Sequence, residues 1–185
     1  VATLVTAVMA LVFKDIIDAA NEGSLLGFCF LFTAALLVLC DFIRQKVECK
    51  LTVPSMKWYH AVFIGFVQGV AILPGISRSG STITGATLCS MTKEDAAEFI
   101  FLLSIPAILG GAVLEIPGAV SAGAANINWL SVVLGVAAAA VSGYFAVRFM
   151  IKLITKHSLW GFAIYTAILG AFIVLDQNIL HLIAW

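Results

Sequence analysis

Arg78 has the clearest capacity for chemistry in this sequence, because it is the only formal charge between Lys57 and Lys93. Small and hydroxylated residues surround it in the run Pro74-Gly75-Ile76-Ser77-Arg78-Ser79-Gly80-Ser81-Thr82, and a helix is expected to begin near residues 79–82. A helix N-terminus, backbone N–H groups beside glycines and hydroxyl groups all donate hydrogen bonds to an oxyanion. Arginine adds a planar fork that matches two phosphate oxygens. The pattern predicts a phosphate-binding site, with a structural arginine among closely packed small residues as the alternative.

The elements that position this run are predicted to lie in a membrane. Of the 185 residues, 62% are hydrophobic and 11% are charged, and the mean hydropathy is +1.11. Soluble domains average about 45–50% apolar and about 25% charged residues, so a soluble domain is excluded. Ten Lys+Arg residues balance ten Asp+Glu residues, which leaves no basic surface for a nucleic acid.

Four spanning helices are expected from apolar runs near the length of about 20 residues that crosses a bilayer core. They are residues 24–43, 96–116, 129–150 and 159–175. The second is expected to start at the N-cap Thr92, with Asp95 in a capping box, to kink at Pro106 and to stop at Pro117. Residues 1–13 are interpreted as the end of a further span. The chain is therefore predicted to be one all-α membrane domain over residues 1–185.

The segment 56–90 consists of two apolar runs on either side of the Arg78 tip, each too short or too broken to be a comfortable span. A single crossing would place the basic residues before and after it on opposite sides of the membrane. If the segment returns to its own side, eight of the ten basic residues share one face, which the positive-inside rule assigns to the cytoplasm. The interpretation is a re-entrant helix–loop–helix. Two full crossings joined by the tip give the same sidedness and are the alternative.

A short internal repeat predicts inverted symmetry. Ser24-Leu25-Leu26-Gly27-Phe28 opens one expected span, and Ser158-Leu159-Trp160-Gly161-Phe162 opens another that runs in the opposite direction. Inverted-topology repeats have this signature. Residues 1–46 would then be the end of a first repeat, and residues 47–185 would form the second.

Other reactive side chains lie away from the tip in the sequence. The four cysteines lack metal or disulfide spacing and are interpreted as structural; they are Cys29, Cys40, Cys49 and Cys89. Three histidines also lie away from the tip: His60, His157 and His181. Glu98, near the start of a helix, either complements the helix dipole or pairs with Arg78 or Lys93.

Three linked segments of the sequence carry a resemblance to a known family. They are Phe66-Val67-Gln68-Gly69, the run from Pro74 to Thr82, and Ala97-Glu98-Phe99-Ile100-Phe101-Leu102-Leu103-Ser104-Ile105-Pro106. They closely resemble the bacterial undecaprenyl-diphosphate phosphatase family, the BacA-type enzymes, in which a PGxSRSGxT motif precedes an A-E-F-x-F-L-L-x-x-P helix. The resemblance implies inverted repeats with re-entrant helix pairs in the bacterial plasma membrane. It also implies removal of the terminal phosphate of a C55 polyprenyl diphosphate, which regenerates a carrier lipid for cell-wall synthesis.

Roles for the residues around the tip follow from this resemblance and from their chemistry. Arg78 is expected to bind and neutralise the diphosphate, and Ser77, Ser79 and Thr82 are expected to donate hydrogen bonds to it during catalysis. The expected substrate-binding residues are Gly75, Gly80, Ser81, Gln68 and Glu98. No metal ligand is assigned in the chain.

One departure from the family pattern limits what the chain is expected to do. The family's first signature, E-G-x-x-E-F-L-P-x-S-S-x-G-H, has no counterpart here, and Gln68 stands where that segment has glutamate. The chain resembles the C-terminal two-thirds of such an enzyme and is expected to be inactive by itself. A divalent cation, Mg²⁺ or Ca²⁺, is expected in the complete enzyme, with ligands outside this chain.

Three further expectations concern partners and alternative functions. A polyprenyl diphosphate lipid and the membrane are the expected partners, and a homodimer is also considered. A transporter or flippase for an anionic polyprenyl phosphate lipid is the alternative function. A structural membrane subunit is a third possible function, for which Arg78 would be dispensable.

Overall fold

The computed structural model describes residues 1–20, 25–121 and 128–180. Over these ranges the chain folds into helices joined by short loops and forms no β-strand. The α-helices in chain order are α1 (Ala2–Val12), α2 (Lys14–Ala20), α3 (Leu26–Lys46), α4 (Trp58–Val70), α5 (Arg78–Leu88), α6 (Lys93–Ser121), α7 (Trp129–Lys156) and α8 (Trp160–Leu175). A 3-10 turn at Val53–Ser55 precedes α4, and a π-turn at Asp176–Leu180 follows α8. The predicted all-α fold class is confirmed.

Four of the described helices are long and apolar enough to cross a membrane. They are α3, the first part of α6, α7, and α8 together with the turn after it. Each coincides with a predicted span, although α7 continues six residues beyond the predicted end, to Lys156. The helix α1 is apolar but has only 11 residues. The chain is a membrane protein.

The helix α6 is longer than predicted, and the predicted stop at Pro117 is wrong. It continues through both Pro106 and Pro117 to Ser121. A proline removes one backbone hydrogen bond, but its φ is compatible with a helix, and helices in membranes tolerate such residues. The predicted N-cap is confirmed: the Asp95 N–H donates to Thr92 Oγ1 at 3.2 Å, and the Thr92 hydroxyl donates to the Asp95 carboxylate at 2.6 Å.

The helices α3 and α8 form the most extensive helix pair in the described chain. They run antiparallel, because Gly27 near the start of α3 meets Gly170 near the end of α8. At the other end, the buried Asp41 carboxylate of α3 accepts hydrogen bonds from the Ser158 hydroxyl and, at 2.7 Å, from the Leu159 N–H. A carboxylate in this place satisfies the unpaired donors of a helix N-terminus.

A second buried aspartate follows the same pattern in the sequence. Asp176, directly after α8, is fully buried. Asp41 follows the repeat copy that starts at Ser24, and Asp176 follows the copy that starts at Ser158, at nearly equal spacing. This correspondence agrees with inverted repeats, which stay a prediction.

The helices α4 and α5 form a hairpin whose tip carries Arg78. They have 13 and 11 residues, or about 20 and about 16 Å, whereas a hydrocarbon core is about 30 Å thick. The ends of the hairpin are hydrogen-bonded: the Leu51 N–H donates to the Ser90 carbonyl at 2.8 Å, and the Thr92 N–H donates to the Leu51 carbonyl at 2.9 Å. The chain therefore returns to the point where the hairpin begins. This geometry supports the re-entrant interpretation, and the position of the tip in the membrane stays a prediction.

Replacing Gly27 by alanine is expected to destabilise the protein by about 1–3 kcal/mol, the usual range for overpacking. A Cβ at this position would lie 2.9 Å from the Val174 nitrogen and 3.1 Å from the Gly170 carbonyl oxygen. These backbone atoms yield only if α3 and α8 separate. Gly143→Ala is the matched control, because a Cβ at position 143 meets nothing within 4 Å. Thermal unfolding in detergent checks the difference, and equal unfolding temperatures for the two variants would contradict it.

The direction of the hairpin is tested by cysteine labelling in a background that lacks the native cysteines. Single cysteines at positions 50 and 93 should react with a membrane-impermeant maleimide from the same, cytoplasmic, side. A cysteine at position 126, which lies outside the described residues, should react only from the other side, because this arrangement gathers the basic residues on one face. Labelling of positions 50 and 93 from opposite sides would exclude both the re-entrant hairpin and the two-crossing alternative.

Candidate anion-binding site

The tip of the α4–α5 hairpin is a tight turn that ends in a helix cap. Gly75 has a φ of +88°, in the left-handed region that favours glycine. Ser77 is the N-cap of α5, and its Oγ accepts a hydrogen bond from the Gly80 N–H at 3.1 Å. Arg78 is therefore the first residue of α5, and the predicted helix N-terminus at the tip is confirmed.

The first turn of α5 leaves two backbone donors free. The Gly80 N–H donates to Ser77 Oγ, and the Ser81 N–H donates to the Ser77 carbonyl at 2.9 Å. The N–H groups of Arg78 and Ser79 have no acceptor within the described part of the chain. They share the positive end of the helix dipole with the Arg78 guanidinium. This combination is suited to an oxyanion.

Arg78 and Ser79 face a cavity of about 230 Å³ formed by α4, α5 and α6. The helices α4 and α5 contribute polar residues to its lining, and α6 contributes apolar residues and Ser104. The polar lining residues are Gln68, Arg78, Ser79, Thr82 and Ser104, and the apolar ones are Ile100, Phe101 and Ile108. Arg78 is exposed and has no ion-pair partner among the residues that the structure describes. Its charge is therefore available to an anionic ligand.

Gln68 presents a buried amide to this cavity. The residue is 1% exposed, and neither its Oε1 nor its Nε2 has a hydrogen-bond partner in the described ranges. An unpaired buried polar group costs about 1–3 kcal/mol, and native proteins rarely leave one without a partner. The unpaired amide is therefore a candidate partner for a polar group of a ligand in the cavity.

The family of the chain follows from its sequence match. Residues 1–172 match the profile of the family described as bacitracin resistance protein BacA. The chain belongs to this family. The resemblance predicted from the three motif segments is confirmed.

Three relatives of this BacA-family protein are each named undecaprenyl-diphosphatase. One from Carboxydothermus hydrogenoformans is 44% identical over 178 residues, which are 95% of this chain and 67% of that protein. One from Alkaliphilus metalliredigens is 40% identical over 95% of this chain and 63% of its own length. One from Methanothermobacter thermautotrophicus is 40% identical over 94% of this chain and 96% of its own length. The chain thus spans about two thirds of the first two relatives and nearly all of the third.

The BacA motif residues fall into two groups at the tip. Arg78, Ser79, Thr82 and Gln68 line the cavity, as the sequence predicts for a shared site. The second group shapes the turn that carries Arg78 and Ser79; its members are Gly75, Ser77 and Gly80. Ser81 is buried and does not line the cavity, and its Oγ has no hydrogen-bond partner among the described residues.

The predicted hydroxyl donors differ in their availability. The Thr82 hydroxyl already donates to the Arg78 carbonyl at 2.7 Å, so it must turn to reach an anion. Ser77 Oγ accepts from a backbone N–H and lies 3.5 Å from Ser79 Oγ. Because each hydroxyl carries one hydrogen, the two serines together can still donate to a ligand.

Glu98 is not brought to the tip. Its side chain is exposed, and within the described residues no ion pair joins it to Arg78 or Lys93. The cavity is lined by a different face of α6, which carries Ile100 and Ser104. The position of Glu98 in the second turn of α6 fits a dipole-complementing carboxylate rather than a substrate contact.

The histidines and the cysteines that the structure describes do not line the cavity. His60 Nδ1 accepts from the Lys57 N–H at 3.1 Å at the start of α4, and His157 is the C-cap of α7. His181 lies outside the described residues. All four cysteines are free, as the sequence predicts.

Two hydroxyl side chains near the tip have almost no sequence signal. Ser104 lines the cavity, and its hydroxyl donates to the Phe101 carbonyl at 2.7 Å. Thr33 of α3 contacts the turn at Gly75 and Ser77. Both residues lie in apolar predicted spans, where a lone hydroxyl commonly bonds to its own helix. The only signal for Ser104 is its place in the segment that resembles the family's second motif.

A divalent cation does not fit the described residues of the cavity. No three His, Cys, Asp or Glu side chains are grouped as metal ligands in residues 1–20, 25–121 and 128–180. Mg²⁺ and Ca²⁺ prefer carboxylate and other oxygen ligands, whereas the cavity offers hydroxyls, one amide and a cationic guanidinium. The expected cation stays a prediction.

Proposed function

We propose that the protein is an undecaprenyl-diphosphatase and a multi-pass protein of the bacterial plasma membrane. The observation that carries this proposal is the Arg78 guanidinium at a helix N-terminus with two free N–H groups, in a cavity with one apolar side. The names of the relatives support the same activity. The substrate is a C55 polyprenyl diphosphate, and the products are the monophosphate and inorganic phosphate. This reaction recycles the carrier lipid of cell-wall synthesis.

The diphosphate is bound by donors that converge on the tip. The guanidinium of Arg78 takes two oxygens, because its planar fork matches their spacing. The free N–H groups of Arg78 and Ser79 donate to the same group along the helix axis. Gln68 Nε2 provides a neutral donor from the buried side, where a second positive charge would be costly.

The prenyl chain leaves the site along α6. Ile100, Phe101 and Ile108 form the apolar side of the cavity and contact the first isoprene units. Leu102, Ile105 and Leu109 on the same helix are exposed on the protein surface, where a longer chain continues into the lipid. The prenyl chain is in contact with apolar side chains or with lipid throughout, so the site fits a diphosphate that is anchored in the membrane.

Hydrolysis breaks the bond between the terminal phosphorus and the bridging oxygen, and water supplies the oxygen that completes inorganic phosphate. The electron pair of the broken bond stays on the polyprenyl monophosphate. Arg78 and the free N–H groups stabilise the negative charge on the phosphoryl oxygens, which is the main requirement in phosphoryl transfer. No carboxylate or imidazole of the described residues lines the cavity, so the group that orients the water is not assigned to this chain.

Transport and dimer formation are the two other expectations for this protein. The transport alternative is not favoured, because the relatives carry the name of a hydrolase. A homodimer remains a proposal that measurement of the mass in detergent would test.

Arg78→Lys in the protein as its cell makes it is expected to lower the rate of phosphate release by about 10²-fold, although the net charge is kept. A lysine is a point charge and cannot bind two oxygens in one plane. The measurement is release of inorganic phosphate from undecaprenyl diphosphate in proteoliposomes. Arg148→Lys is the matched control, because the Arg148 guanidinium is exposed on α7 and bonds only to Tyr144 Oη among the described residues.

Each outcome of this experiment decides one point. Near-normal turnover by Arg78→Lys would exclude the two-oxygen clamp. No phosphate release by the unmodified protein would remove the proposed function, and lipid movement across the bilayer without hydrolysis would favour the transporter.

Residues 1–185 by themselves are expected to release no phosphate from a polyprenyl diphosphate. Hydrolysis needs a positioned base or nucleophile, and the described cavity offers neither a carboxylate nor an imidazole. The same assay on the purified 185-residue chain checks this. The relative from Methanothermobacter is named undecaprenyl-diphosphatase, although this chain covers almost its whole length. That name argues against the expected inactivity, so the assay is a demanding test. Turnover that Arg78→Ala abolishes would place the whole chemistry within these residues.

A further inference from the structure

The hydroxyl of Thr33 joins α3 to the turn that carries Arg78. Its Oγ1 accepts a hydrogen bond from the Ser77 N–H at 3.0 Å. The same oxygen lies 3.1 Å from the Gly75 carbonyl and 3.0 Å from the carbonyl of Cys29 on its own helix. Thr33 is 1% exposed. One buried hydroxyl therefore accepts from a donor of the turn and shares its single hydrogen between the Gly75 and Cys29 carbonyls.

The two backbone groups that bond to Thr33 are the Gly75 carbonyl and the Ser77 N–H. They lie on either side of Ile76, just before Arg78 in the chain. Ser77 is the N-cap whose Oγ holds the Gly80 N–H, so a fixed Ser77 also fixes the direction of the first turn of α5. The turn has no room to shift towards α3, because the α-carbon of Gly75 already faces Cys29 Cβ and the Leu26 carbonyl oxygen; an added Cβ would lie 2.8 and 2.9 Å from these atoms.

We infer that Thr33 is a positioning residue for the anion site: its hydroxyl holds the Gly75–Ser77 turn so that the free N–H groups of Arg78 and Ser79 and the Arg78 guanidinium point at one anion. Thr33 does not line the cavity itself. It acts through Ser77, and the inference rests on the proposed function only in naming the anion as a diphosphate.

Thr33→Val tests this inference, because valine has nearly the same shape as threonine but cannot pair with the turn. The Ser77 N–H and the Gly75 carbonyl then lose their partner, and the turn is free to rotate. In the protein as its cell makes it, we expect the KM for undecaprenyl diphosphate to rise about tenfold, which is the size of effect expected when about one hydrogen bond to the anion is lost. Thr33→Ser keeps the hydroxyl and should restore the KM.

Thr6→Val is the matched control. Thr6 is also buried, and its hydroxyl also bonds to the carbonyl four residues earlier and to a carbonyl of the hairpin, those of Ala2 and Gly65. Its bond reaches the middle of α4 rather than the turn. Thr6→Val should lower the thermal unfolding temperature and leave the KM unchanged.

Two measurements separate this inference from the proposed function. Phosphate release gives kcat and KM, and protection from thermal unfolding by inorganic pyrophosphate gives the affinity of the tip without hydrolysis. If the unmodified protein binds pyrophosphate but releases no phosphate from the lipid, the proposed function fails, and weaker binding by Thr33→Val still supports positioning.

Three results would overturn the inference. An unchanged KM and pyrophosphate affinity in Thr33→Val would show that the turn keeps its shape without the hydroxyl. Failure of Thr33→Ser to restore them would assign the effect to the lost methyl group. Absence of pyrophosphate binding in the unmodified protein would remove the anion that Thr33 is inferred to position.

Discussion

An arginine side chain keeps its proton in a protein, so Arg78 brings a permanent positive charge into a bundle of apolar helices. The structure does not neutralise this charge with a carboxylate within the described residues. It adds to the positive potential instead, because the N-terminus of α5 lies at the same point. The other contacts of the hairpin hold this positively charged tip in place and leave it open to an anion.

Hydrogen bonds between side chains and backbone hold the hairpin against α3. The Thr84 hydroxyl bonds to the Leu36 carbonyl, Thr87 lies against Cys40, and Thr33 bonds to the turn. Apolar burial gives little net attraction between helices in lipid, whose chains are as apolar as leucine. Polar contacts and close backbone approach therefore provide the specificity of packing. The helix α5 is rich in buried threonine and glycine for this reason.

Local patterns in the sequence predict much of this architecture. Long apolar runs predict the four spans, and the isolated Arg78 among glycines and serines predicts the tip. Each of these features can be recognised because its signal lies within a single continuous segment. Thr33 and Asp41 could not be predicted in the same way. Each acts on a segment more than 40 residues away, and a single hydroxyl or carboxylate in an apolar run does not identify its partner. The predicted stop of α6 at Pro117 is wrong because a proline ends a helix in water more readily than in a membrane.

The joined ends of the hairpin have a consequence for how the protein is made. Neither α4 nor α5 is long enough to be inserted as a span. Their ends are joined by hydrogen bonds of Leu51, Ser90 and Thr92, and the Asp95 carboxylate accepts from the Val53 N–H at 3.0 Å. The hairpin can close only after the ribosome has released the start of α6. The span α3 precedes the hairpin in the chain, and the span α6 follows it. A hairpin closed in this way carries Arg78 into the bundle together with the hydroxyl groups that surround its charge.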